Sequence, residues 1–182
     1  MLPIGKGFGP VVQVAYLVED IDAAMKHWLE QAGLGPWTCF RNIELDTRFD
    51  GREFTLHIHE ALAYMGDLQI QLVQSLDPPE TVTPYQEALN ARNWGVHHMA
   101  FFADDIDSTI KRARQQGFER TCSMRDKGGY RYYYCQSKMM PAVWIEFLES
   151  YPGLHTIFEE GIAAAAAWDG SQPIRNFEYK DL

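Results

Sequence analysis

Cysteine, positive charge and long apolar runs are all scarce in this chain, and each shortage removes a class of explanation. Cys39, Cys122 and Cys135 stand far apart with no Cys-x-x-Cys spacing, so neither a disulfide framework nor a zinc knuckle is indicated and free thiols are expected. Sixteen Lys and Arg against 25 Asp and Glu leave a net charge of −9, which repels a phosphate backbone on average and argues against a nucleic-acid partner. No stretch is long enough to span a membrane, and the opening MLPIGKGFGP lacks the apolar segment of a signal peptide. A soluble, cytoplasmic protein with no membrane partner is expected.

What is present is a core and a repeat. The 182 residues are 46% hydrophobic and 13% aromatic, enough for one compact domain. Within it, PVVQVAYLVEDID (Pro10 to Asp22) returns as GVHHMAFFADDID (Gly95 to Asp107). With Asp22 set on Asp107, Val14 meets Met99, Ala15 meets Ala100, Tyr16 meets Phe101, Asp20 meets Asp105 and Ile21 meets Ile106. Each copy is an apolar run broken by an acidic pair and followed by helical periodicity, which reads as strand, N-cap and helix, with Asp20 and Asp105 as the caps.

Chain order extends each copy into a βαβββ module. The first has a strand over Val11–Val18, a helix over Ile21–Ala32 stopped at Gly33, and strands over Trp37–Leu45, Glu53–Tyr64 and Leu68–Gln74, with turns at Asp50-Gly51 and Gly66-Asp67. The second has a strand over Val96–Ala103, a helix over Ile106–Gln116, and strands over Phe118–Met124, Tyr130–Gln136 and Ala142–Glu149. The expected fold is therefore α+β, with two tandem βαβββ modules, residues 10–75 and 95–150. A linker over 76–94, with a short helix near Pro84–Ala91, joins them. A C-terminal extension over 151–182 carries a helix over His155–Trp168, read as an edge cover or a dimer contact.

Strand alternation assigns faces. Ile70 and Leu72, like Ile145 and Phe147, should pack on helices, which sends Gln71 and Glu146 toward a cavity. The same rule places Gln13 and His98 on the cavity side and points His97 away from it. His57 and His59, matched with Tyr132 and Tyr134, are expected to form a polar and aromatic substrate-binding wall.

This arrangement resembles the vicinal oxygen chelate superfamily, nearest to methylmalonyl-CoA epimerase-like members, over roughly Pro10 to Ser150, with HHMAF and IEFLE as the most specific strings. The resemblance implies that the two modules form a curved mixed sheet around a central cavity, with a divalent metal ion (Zn, Co, Ni, Mn or Mg) held by Gln13, Gln71, His98 and Glu146. It also implies an epimerase, isomerase or lyase acting through a metal-stabilised enolate on an organic acid, thioester or aromatic metabolite. Gln13 departs from the family's usual histidine. The expected small-molecule chemistry uses a carboxylate base, Glu146 or Glu44, in a homodimeric enzyme. The alternative is a metal-free binding or resistance protein, followed by an extradiol-type dioxygenase, which the single site histidine disfavours.

Overall fold

The computed structural model describes residues 7–92 and 95–181; the first six residues and the end of the linker, Asn93 and Trp94, lie outside them. The first module comprises β1 (Gln13–Leu17), α1 (Ile21–Ala32), β2 (Trp37–Phe49), β3 (Arg52–Met65) and β4 (Leu68–Ser75). The linker carries α2 (Pro84–Asn90). The second module comprises β5 (Gly95–Ala103), α3 (Ile106–Gln115), β6 (Phe118–Arg125), β7 (Arg131–Ser137) and β8 (Trp144–Glu149). The extension adds α4 (Pro152–Ala166), β9 (Ile174–Glu178) and a 3-10 turn over Tyr179–Asp181.

The two helices at the repeat begin on the same device. Asp20 accepts from the N–H groups of Asp22 and Ala23 at 3.0 and 2.9 Å, and Asp105 accepts from Ser108 N–H at 3.0 Å. Removing such a cap costs about 1 kcal/mol. Gly33 ends α1 with φ of 62°, a left-handed conformation that glycine adopts without a Cβ penalty.

Strand order is β3-β4-β1-β5-β8-β7-β6-β2, with β2 also paired to β3, so eight strands close into a ring. The closing contacts are unequal: β2 and β3 pair along most of their length, whereas β2 meets β6 only over Asp46–Phe49. Outside the ring, α1 packs on Ala61, Ala63, Ile70 and Leu72, and α3 on Tyr133, Cys135, Ile145 and Phe147. The aliphatic faces therefore bury against helices as alternation requires. Inside, Leu17, Phe49, Tyr85 from α2 and Trp144 fill one end, and Tyr64, Ala100, Leu148 and Phe158 from α4 close on the other.

The extension is more than a helix. β9, absent from the sequence reading, runs parallel to β2 along Trp37–Arg41 and covers its edge, while Arg41 ties both to α1 through Asn176 and Asp22. α4 crosses β3, where Gly161 lies so close to the Tyr64 ring that a Cβ would collide with it. Among the described residues no helix is long and apolar enough to cross a membrane.

Candidate active site

Four consecutive strands of the ring, β4, β1, β5 and β8, carry Gln71, Gln13, His98 and Glu146. Their register explains why the residues meet. Ala15 sits opposite both Gln71 and His98, and Ala100 opposite both Gln13 and Glu146. Directly opposed residues share a face, so two alanines form a floor with a long polar side chain at each corner. Neighbouring strands lie about 4.8 Å apart; the flanking side chains can lean together only because the residue between them is a methyl group. Both alanines are fully buried.

The corner groups are bonded in a directional way. Gln13 donates its amide N–H to Gln69 Oε1 at 2.6 Å, Gln69 donates to the Tyr64 hydroxyl at 2.5 Å, and that hydroxyl donates to Ile157 O at 3.5 Å. Gln71 gives its amide hydrogen to the Glu60 carboxylate. Each of these amides spends its donor on a fixed acceptor, and Gln13 Oε1 and Gln71 Oε1 are buried without a partner. Glu146 Oε2 is likewise buried without a hydrogen bond, although it lies 3.1 Å from His98 Nε2.

Proton bookkeeping accounts for that last pair. Pro84 O can only accept, so His97 Nε2, 3.3 Å away, carries its hydrogen and leaves Nδ1 bare. His97 Nδ1 is 3.0 Å from His98 Nδ1, which must then be the donor. His98 Nε2 is left with a lone pair that has the Tyr134 hydroxyl at 3.5 Å and Glu146 Oε2 at 3.1 Å, and the closer approach of two lone pairs is favourable only with a proton or a cation between them. Burial drives the same result: it pulls His97 and His98 down to about 3 and pushes Glu146 up to about 8.

Strand alternation misplaced His97. A bulge in β5 shifts the register between Ala15–His98 and Tyr16–Val96, which turns His97 inward against Tyr85 and Tyr134. Its place is beneath His98, where it sets the tautomer.

Gln13, Gln71 and Glu146 line one cavity of about 270 Å3 together with Tyr132 and Tyr134. His57 and His59 are on the outer face of β3: His57 pairs with Asp77 at 3.0 Å, and His59 accepts the Asn42 N–H at 3.1 Å. Glu44 is exposed opposite His57, away from the cavity. The cause is hairpin length. Gln71 pairs with Leu62 and Glu146 with Tyr134, and the second connection is longer by an odd number of residues, so a match made on the fourth strands inverts the faces of the third.

Counting back from the Gly66-Asp67 turn puts Glu60 on the inner face, and Glu60 is the site residue that sequence reasoning missed. It lines the cavity, and desolvation, with the Glu146 charge adding to it, holds its carboxyl up at about 7. The three cysteines are buried free thiols, and burial raises Cys39 to about 11 and Cys135 to about 12, out of reach of nucleophilic chemistry at neutral pH.

The sequence model of the glyoxalase/bleomycin resistance protein/dioxygenase superfamily matches residues 12–134. The chain belongs to this superfamily. Among solved structures, methylmalonyl-CoA epimerase from Mycobacterium tuberculosis is 27% identical, with a TM-score of 0.56 over 86% of this chain and 97% of that one. A second methylmalonyl-CoA epimerase is 24% identical, with a TM-score of 0.51 over 78% and 94%. The Streptomyces coelicolor epimerase in complex with 2-nitronate-propionyl-CoA is 16% identical, with a TM-score of 0.51 over 80% and 97%, and is similar in fold alone. No functionally curated protein matches in sequence.

Superfamily members often use divalent metals, so the donor set deserves testing against one. Among the described residues no group of three or more His, Cys, Asp or Glu is arranged to hold an ion; His98 and Glu146 would need the two glutamines. Those glutamines each keep one oxygen without a hydrogen-bond partner, so the donors are of a kind that could hold an ion. One imidazole, one carboxylate and two amide oxygens make a mostly hard set, better suited to Mn, Co or Mg than to tight zinc binding.

Proposed function

We propose that the protein is a cation-assisted proton-transfer enzyme, an epimerase or isomerase acting on a small carbonyl compound. The observation that carries this reading is that Gln13, Gln71 and Glu146 line one cavity, each with a buried side-chain oxygen that lacks a hydrogen-bond partner, and that Glu146 Oε2 lies 3.1 Å from His98 Nε2. Unsatisfied buried acceptors cost about 1–3 kcal/mol each, and a divalent ion satisfies all of them at once. Such an ion supplies a Lewis acid for a carbonyl oxygen whose neighbouring C–H is being removed.

The protein's own groups do the rest. Two cavity carboxylates lie outside the donor set; Asp126 is engaged by the Tyr132 hydroxyl and the Tyr130 N–H, whereas Glu60 lies beside Gln71 and its position near neutrality suits a group that must both take and return a proton. Gln71 holds Glu60 by its amide while turning its oxygen to the donor cluster, which couples base and ligand through one side chain. The apolar wall limits water and preserves these interactions. Two epimerases among the similar structures accord with proton transfer next to a carbonyl.

The test is solvent deuterium incorporation into a panel of enolisable carbonyl compounds, with and without added Mn2+ or Co2+. Glu60→Gln should slow exchange by about a hundredfold or more under saturating cation. Exchange that is independent of the cation, or unchanged in Glu60→Gln, contradicts the reading. A second reading, metal-free ligand binding, is favoured by the raised Glu146, which in its protonated form donates to His98 Nε2 and fills the gap without an ion. Metal content of the purified protein separates the two.

A further inference from the structure

The cavity carries most of its polar side chains at one end, Gln13, Gln69, Gln71, Glu60 and Glu146, with Asp126 elsewhere on the wall. Much of the remaining wall is built from the rings of Tyr132, Tyr151, Tyr179 and Phe158 and from Leu154 and Ile157. Several of the hydroxyls are already engaged. Tyr132 donates to Asp126 at 2.9 Å, Tyr134 and Tyr85 bond each other at 2.7 Å, and Tyr179 accepts from Lys127 N–H at 3.1 Å. What faces the cavity is ring surface, which favours a flat apolar ligand.

Charge points the same way. Glu60, Asp126 and Glu146 line the cavity, and among the described residues lining it there is no Lys or Arg. Lys127, next to Asp126, directs its ammonium to Tyr179 O at 2.6 Å and sits over the Tyr179 ring. A divalent ion held by Glu146 is largely neutralised by that carboxylate and by Glu60. An anionic group anywhere except on the ion itself is then buried without a counter-charge.

Size and covering complete the picture. The cavity of about 270 Å3 lies just below the range of about 300–1,000 Å3 usual for ligand pockets, which suits a compact ligand. Leu154, Ile157 and Phe158 of α4 and Tyr179 of the terminal turn form its wall on the side of the extension, where Asp126 lines the cavity and the Lys127 ammonium is engaged by Tyr179.

We propose that this site takes a small, uncharged aromatic carbonyl compound with a C–H next to the carbonyl, and discriminates against nucleotide-linked thioesters. The proposal rests on the proton-transfer reading for the carbonyl end and on the wall for the remainder. The aryl group lies among Tyr132, Phe158 and Ile157, and the carbonyl is directed to the Gln13, Gln71 and Glu146 end. Glu60 takes the proton from the adjacent carbon as the electron pair moves onto the carbonyl oxygen, and returns a proton to the same carbon.

The experiment uses the full chain in saturating Mg2+, a diamagnetic ion, and the probe 1-phenylpropan-2-one, observed by saturation-transfer NMR with methylmalonyl-CoA as competitor. Saturation strongest on the phenyl protons, and undiminished by excess thioester, is the expected result. Displacement by methylmalonyl-CoA, or no saturation of the phenyl protons, overturns the proposal. Ile157→Arg, at a half-exposed position of α4 that tolerates a long side chain, should weaken ketone binding by about tenfold; equal binding by the folded variant also overturns it. Deuterium exchange in the same sample reads the earlier conclusion separately. A ketone that binds without exchanging refutes proton transfer and leaves the ligand class supported.

Discussion

The two modules share one strand plan and divide the chemistry unequally. On the first and fourth strands, module one presents Gln13 and Gln71, which cannot titrate; module two presents His98 and Glu146, both held far from their ordinary pKa values. The first module's titratable contribution to the cavity, Glu60, comes from its third strand, where the second module has Tyr132. Repeated backbone geometry supplies convergence, and the side chains placed on it decide which half binds strongly. Within one fold, chemistry follows the site.

The largest expected effects break module two. His98→Ala or Glu146→Gln should lower Mn2+ or Co2+ affinity by about a hundredfold or more, whereas Gln13→Ala or Gln71→Ala should cost only about tenfold, because a neutral amide oxygen is the weaker donor. Calorimetric titration of stripped variants checks the ranking. Equal losses from all four would make the modules chemically equivalent after all.

The shared floor comes next. Ala100→Leu fills the space between Gln13 and Glu146 and should destabilise the fold by about 1–3 kcal/mol while preventing those corners from meeting. Urea unfolding measures the first effect, and metal affinity of the folded fraction the second. Smaller again is His97→Phe, which keeps ring contact with Tyr85 but frees the His98 tautomer. Metal affinity should fall by about tenfold with little change in secondary structure by circular dichroism.

The pH dependence of the cation-free protein separates the groups by sign. In the fold, Glu60 and Glu146 keep protons up to about 7 and 8, but they release them near 4.5 when unfolded. His97 and His98 stay neutral down to about 3, yet take protons near 6.5 when unfolded. Above 6.5 the folded state holds more protons, so stability should fall as pH rises toward 8. Between 4.5 and 6.5 the two pairs cancel, and below 4.5 stability should fall again as pH drops toward 3. Saturating Co2+ should remove Glu146's share of the decline on the alkaline side, because the ion replaces that proton; thermal unfolding across pH shows whether it does.

Much of this was legible in the sequence. The repeat around Asp22 and Asp107 located both modules, and alternation placed Gln13, Gln71, His98 and Glu146 on inner faces, since a buried strand face cannot slip by one residue without exposing its core. Other features depended on counts that a repeat does not conserve. The longer β7–β8 connection inverted the expected faces of His57 and His59 and hid Glu60, although pairing outward from Gly66-Asp67 would have found it. The bulge at His97 leaves no mark in an apolar run. β9 lies in a polar segment, Ile174–Glu178, whose pairing comes from the free edge of β2 and not from its own pattern.

The central claim is that the lone pair of His98 and the carboxylate of Glu146 share a cation with the amide oxygens of module one. Cobalt titration of the stripped protein at pH 7, followed by visible absorption and proton release together, tests it most directly. The expected result is one cobalt per chain, with new absorption bands and release of close to one proton, since Glu146 is protonated near this pH until the ion arrives. Absence of binding, or a cobalt spectrum that is unchanged in His98→Ala, would contradict it.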